Sequence, residues 1–215
     1  MKTKLILLFA LITVVFCTAT AYAAENIEFT DTKFKTEILE QCDTNGDGEI
    51  DTDEAGVVTS IDLYKRGIES LGGIEYFTAL EYLSCGYNLL TELDVSKNTA
   101  LTELWCSGNQ LAELDVSGLD ALKELNCSYN SLTMLDVSGC TALETLFCYA
   151  NLLTTLDVSG LDALEILYCN NNLLTKLDAS DLDALKELNC DANRLTTLDG
   201  RVSAYLKPCT ALTTN

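Results

Sequence analysis

Residues 101–121 read LTELWCSGNQLAELDVSGLDA, and residues 122–142 read LKELNCSYNSLTMLDVSGCTA. Laid over each other at a spacing of 21, the two stretches share their leucines, cysteine, asparagine and Leu-Asp-Val-Ser run. The register extends in both directions. Units open at Leu80, Leu101, Leu122, Leu143, Leu164 and Leu185, and each obeys L-x-x-L-x-C-x-x-N-x-L-x-x-L without a gap. Self-similarity at a fixed short period is the signature of a solenoid: one unit cannot bury its own leucines, so it stacks on its neighbours and shares an interior with them.

The columns have separate physical roles. The segment around the second leucine and the cysteine alternates inward and outward, which predicts a short parallel β-strand in every unit. The asparagines (Asn88, Asn109, Asn130, Asn151, Asn172, Asn193) follow where the chain turns inward, and their amides suit a ladder of bonds to neighbouring coils. A unit of 21 residues leaves little room for an outer helix, so turns and short 3₁₀ pieces are expected there. The aspartates from Asp94 to Asp199 invite two assignments: cation sites, or carboxylates capping local turns; the latter is favoured.

The cysteines follow the same logic. Six recur at one inward position, where side chains of neighbouring strands stand side by side about 4.8 Å apart. A disulfide needs Cβ atoms nearer ~3.8 Å and angled together. Buried reduced thiols, packed as small apolar groups, are therefore expected at Cys85, Cys106, Cys127, Cys148, Cys169 and Cys190. Cys140 shares a column with Leu119, Leu161 and Leu182, and Cys42 and Cys209 lie at opposite ends.

Residues 1–23 predict a secretory signal peptide: a basic start at Lys2 and Lys4, an apolar run from Leu5 to Phe16, and an Ala-Tyr-Ala exit at 21–23. Residues 24–57 predict a helical cap, with a helix between Asp31 and Cys42. It is followed by Asp43-Thr-Asn45-Gly-Asp47-Gly48-Glu49-Ile50-Asp51-Thr-Asp-Glu54, which matches the EF-hand calcium loop D-x-[DN]-x-[DN]-G-x₅-E. Asp43, Asn45 and Asp47 would offer side-chain oxygens, Glu49 its carbonyl, Asp51 a water contact and Glu54 two oxygens, to one structural calcium ion. Gly48 would make the sharp turn and Ile50 would pack inward. Residues 58–79 read as a worn first repeat with Leu63 in the cysteine's place, 80–200 as the six regular repeats, and 201–215 as a degenerate end or a truncated repeat.

Composition excludes several functions. The net charge is −20, and loss of Lys2 and Lys4 with the leader makes it more negative. Such a surface repels phosphate backbones and anionic lipids, so nucleic acid is not an expected partner. With no histidine in the chain, Ser-His and Cys-His catalytic arrangements and His-ligated zinc are excluded. The remaining acids fall in ladders and no nucleophile sits beside a base, so no enzyme is expected. No segment after the leader is long and apolar enough to span a bilayer.

The leader, the D-T-N-G-D-G-E-I segment and the L-x-x-L-x-C-x-x-N-x-L-x-x-L-D-V-S repeats together resemble bacterial leucine-rich-repeat surface proteins of the internalin-like kind, over roughly residues 31–200. The resemblance implies a right-handed leucine-rich-repeat solenoid with a parallel sheet on its concave face and an EF-hand-like helical cap. It also implies protein recognition by the concave sheet. No cell-wall sorting motif follows the repeats, a departure from that family. The outward column Ser84, Trp105, Asn126, Phe147, Tyr168 and Asn189 would line that face, with Tyr82 beside it and Tyr129 and Tyr149 just after it. Exposed aromatics have no folding reason to be there and are favoured at interface hot spots. Tyr82, Trp105, Tyr129, Phe147, Tyr149 and Tyr168 are the candidate ligand-binding residues, for a protein or glycan ligand. The expected function is an adhesion-like binding module, secreted or at the cell surface, or in the periplasm; the alternative is a structural or vestigial fragment of a larger repeat protein.

Overall fold

The computed structural model describes residues 24–199; the expected leader and the residues from 200 onward, including the fading end at 201–215, lie outside them. Helices α1 (Thr32–Cys42) and α2 (Thr52–Ala55) come first. Nine three-residue strands follow among the described residues: β1 (Ser60–Asp62), β2 (Tyr82–Ser84), β3 (Glu103–Trp105), β4 (Glu124–Asn126), β5 (Thr145–Phe147), β6 (Ile166–Tyr168), β7 (Lys176–Asp178), β8 (Glu187–Asn189) and β9 (Thr197–Asp199). Strands β1 to β6 and β8 form one parallel sheet in chain order, one strand per coil. The register is uniform: Leu83, Leu104, Leu125, Leu146, Leu167 and Leu188 are partners in line, with Ile61 at the start. This is the leucine-rich-repeat solenoid expected from the period. A smaller parallel pair, β7 with β9, lies at the Leu-Asp of the return path in the last two coils, a ladder that the period does not announce.

From Leu80 to Leu182 the column leucines are buried, as are Val95, Val116, Val137 and Val158 on the return path, and Leu185 in the last regular coil is partly buried. On the outer side each regular coil makes tight turns, such as Leu119 N–H to the Val116 carbonyl (3.2 Å) and Leu122 N–H to the Leu119 carbonyl (3.0 Å). The expected absence of outer α-helix holds for the described coils; one 3₁₀ turn, Ile74–Tyr76, lies in the worn first repeat. Leu63 does stand in the cysteine's column: its carbonyl accepts from Asn88 Nδ2 (2.8 Å), as the cysteine carbonyls do further on.

Helix α1 buries Phe34, Ile38 and Cys42 at helical spacing, with Leu39 packed beside them. Asp31 ties this helix to the first coil. One carboxylate oxygen accepts from Lys33 and Phe34 N–H at the helix start, and the other from Glu69 and Ser70 N–H. Burial alone would raise the Asp31 pKa, but these four bonds outweigh it and hold the carboxyl below its ordinary value.

Five of the six ladder cysteines are fully buried free thiols, and Cys42 and Cys140 are buried free thiols as well. Cys190 departs from expectation: it is disulfide-bonded, and its partner lies outside the described residues. The inner thiols stand in a column whose geometry does not close a disulfide. Burial drives the inner thiols far from ionisation. Cys106 and Cys169 are pushed up to about 12, and Cys85, Cys127 and Cys148 go well above the ordinary value. Because the thiolate is the reactive form, these groups are inert while the chain is folded. A maleimide at neutral pH should therefore leave the seven free thiols among the described residues unlabelled in the native protein and modify them in denaturant. Rapid native labelling, or disulfides between successive ladder positions, would contradict this packing.

Candidate functional site

Every concave strand is three residues long, so two side chains per coil face outward on either side of the buried leucine. The pairing sets Tyr82, Glu103, Glu124, Thr145, Ile166 and Glu187 in one outward line, and Ser84, Trp105, Asn126, Phe147, Tyr168 and Asn189 in the other. The structure thus places Tyr82, Trp105, Phe147 and Tyr168 on one face. They are half-buried, more covered than the sequence suggests, because side chains about 4.8 Å apart across the ladder shield one another. Phe147 and Tyr168 lie with ring centroids 5.2 Å apart, and the Tyr168 hydroxyl donates to Glu187 Oε2 (2.5 Å). Trp105 sits between Ser84 and Asn126, and its indole N–H is buried with no protein acceptor.

The acids on this face are not evenly offset. Glu103 and Glu124 are direct partners on neighbouring strands, like charges set opposite each other, which is unfavourable. Burial, then Glu103 and then Glu144, raise the Glu124 pKa above its ordinary value. Lys123 pairs with Glu144 (3.3 Å) and Lys186 with Glu165 (2.6 Å), leaving the concave line itself acidic.

The rim just after the strands has a feature that sequence reasoning missed. The residue two places after each column cysteine, and after Leu63, is left-handed: Lys65 (φ 59), Tyr87 (55), Gly108 (66), Tyr129 (52), Ala150 (55), Asn171 (55) and Ala192 (53). Glycine fits this conformation without strain, whereas other residues carry a cost of roughly 1–2 kcal/mol. Gly108 betrays the column in hindsight. A Cβ there would also meet the Tyr87 ring at 3.0 Å, so Tyr87 leans across the next coil. Tyr87 and Tyr129 are exposed, and each touches a ring on an adjacent coil: Tyr87 on Tyr64 (5.4 Å) and Tyr129 on Tyr149 (5.2 Å). Tyr149 and Tyr129 therefore group with each other at the rim.

The acidic loop forms a separate location. Its backbone has the anticipated turns, with Gly46 and Gly48 at φ 76 and 85, and Ile50 fully buried. Residues 26 and 27 pair with it: Ile27 N–H donates to the Ile50 carbonyl (2.8 Å), beside an antiparallel bridge between Asn26 and Asp51. Asp43 accepts from Gly46 and Gly48 N–H, Asn45 from Asp47 N–H, and Asp47 from Glu49 N–H. Glu54 is buried; it accepts from Thr44 and Asn45 N–H and the Thr44 hydroxyl on one oxygen, and from Asp51 N–H on the other. Burial would raise its pKa, yet these bonds bring it below the ordinary value. Asp51 caps α2, and the Glu49 carboxylate pairs with Lys35 Nζ (2.6 Å). The oxygen donors suit a hard cation, and Glu54 is a buried carboxylate offset by dipoles alone. As they stand, however, no three acidic or cysteine side chains among the described residues converge as a metal cluster. The Asp94, Asp115, Asp136, Asp157 and Asp178 carboxylates each accept from the serine N–H two residues on, as turn caps do.

Comparison with known proteins agrees with this geometry. No family model matches the chain. Internalin J of Listeria monocytogenes is 38% identical over 71 residues, a stretch that takes in 33% of this chain and 8% of that protein. Among solved structures, internalin C2 of the same species has a TM-score of 0.73 at 23% identity, over 79% of this chain and 77% of that one. A leucine-rich-repeat protein of Leptospira interrogans has a TM-score of 0.62 at 25% identity, over 67% of this chain and 40% of that one.

Proposed function

We propose that this internalin-like leucine-rich-repeat chain is a protein-binding module that acts outside the cytoplasm, at the cell surface, in the medium or in the periplasm. The observation that carries this is the outward line of the concave sheet. Trp105, Phe147 and Tyr168 stand there on rigid, paired strands, at positions that contribute nothing to the shared interior. Large rings held by a stiff scaffold give contact area at little entropic cost on binding. The predicted leader and the resemblance to surface proteins support export and an adhesion-like role. A protein loop is favoured over a glycan because the face is acidic as well as aromatic, which suits charge complementarity with a protein surface. Once a partner is in hand, Trp105→Ala and Phe147→Ala should each weaken affinity at least tenfold while the urea midpoint moves little. Unchanged affinity would remove the concave face from the account; global unfolding of both variants would make these side chains core.

We also propose that the 43–54 loop holds one calcium ion, through Asp43, Asn45, Asp47, Asp51, Glu54 and the Glu49 carbonyl. The ion would cancel clustered carboxylates beside the buried Glu54 and brace α1 against the first coil. Binding to the folded state alone stabilises it by roughly 2.7 kcal/mol at one hundred times Kd. Chelation should lower the melting temperature, and Glu54→Ala should abolish the difference. Melting curves that overlay with calcium and with chelator would leave the loop as an ordinary acidic turn.

A further inference from the structure

Two tyrosine pairs decorate the same rim, and one of them is filled. The Lys65 ammonium lies 4.9 Å from the Tyr64 ring centroid and 5.1 Å from that of Tyr87, so one cation serves two rings set edge to face. Tyr129 and Tyr149 use the same two rim places in the opposite order along the solenoid, the second place after the cysteine on the earlier coil and the first on the later, with centroids 5.2 Å apart and planes at 80°. Among the described residues no lysine or arginine lies over this second pair. The residue after Tyr149, in the place that Lys65 takes after Tyr64, is Ala150.

From this internal precedent we propose that the Tyr129–Tyr149 pair takes a lysine or arginine side chain of a protein partner. The proposal rests on the binding-module reading above and names the chemistry at one of its contact points. A ring face attracts a cation through its quadrupole, and two rings more than one. Charge points the same way. The chain carries 33 acidic against 13 basic residues. Glu124, in the same coil as Tyr129, faces Glu103 across the ladder, and among the described residues no cation pairs with either. Tyr129 itself is 52% exposed and occupies a left-handed position that glycine would fill without strain. Its ring is therefore held at the surface against the preference of its own backbone.

The probe is Nα-acetyl-arginine amide, with the neutral isostere Nα-acetyl-citrulline amide as its control, read by NMR of ring-labelled tyrosines. The Tyr129 and Tyr149 resonances should shift and saturate with the arginine compound, with at least tenfold weaker response to citrulline. Tyr149→Ala should remove the response. Tyr129→Gly should also remove it while the melting temperature holds or rises, which separates lost binding from lost folding. Lys65→Met should open the first pair, so that Tyr64 and Tyr87 begin to respond. Equal response to citrulline, or a response that survives Tyr149→Ala, overturns the proposal. If partner binding depends on Trp105 but the arginine probe never reaches the tyrosine pair, this inference fails while the binding module stands.

Discussion

The asparagine side chain of each coil is the bond on which the solenoid depends. Asn130 shows the pattern: Nδ2 donates to the carbonyls of Cys106 and Cys127, and Oδ1 accepts from Leu111 N–H, each near 3 Å. Asn109, Asn151, Asn172 and Asn193 do the same one coil apart. The chain must turn inward just after the strand, where β-ladder partners end and backbone groups would be left buried and unpaired. An unpaired buried group costs about 1–3 kcal/mol. One amide satisfies three of them and ties two coils together, and that is why the cysteine carbonyl, more than the cysteine thiol, is the structural member of its column.

With the interior settled by leucine, cysteine and asparagine, the outward positions are released from folding duty. They differ from coil to coil where the inward ones do not: Ser84, Trp105, Asn126, Phe147, Tyr168 and Asn189 share one line. The left-handed rim lies between these regimes. Its backbone is dictated by the turn into the asparagine, yet its side chains point to solvent. Tyrosine at Tyr87 and Tyr129 therefore sits where local preference and the residue present disagree. Such conflicts collect at functional positions.

The coil architecture was legible from the period alone, because stacking repeats one set of contacts and the sequence repeats with it. The strand register followed from the alternation about the second leucine, and the asparagine and aspartate roles from their places beside turns. Four features were not legible. The left-handed rim is hidden because Lys65, Tyr87, Tyr129, Ala150 and Ala192 are not residues that announce positive φ, and only Gly108 and Asn171 do. The half-burial of Trp105 depends on its cross-strand neighbours, which a single repeat does not show. The bridge between Asn26 and Asp51 joins segments with no periodic relation, and the disulfide at Cys190 breaks a column that is otherwise uniform.

The claim that the amide ladder carries the fold is tested most directly at Asn151, buried at 6% exposure with bonds to the Cys127 and Cys148 carbonyls and from Leu132 N–H. Asn151→Asp keeps shape and acceptor but sets a carboxylate oxygen against two carbonyls. Urea unfolding at neutral pH should show a loss of about 3 kcal/mol relative to the parent. The new carboxyl has a folded pKa raised above its unfolded value, so its protonated form favours the native state and that contribution is lost as pH rises. The deficit against the parent should therefore shrink on acidification, as the acid regains a donor. A variant as stable as the parent at neutral pH, or a deficit that does not change with pH, would contradict the account.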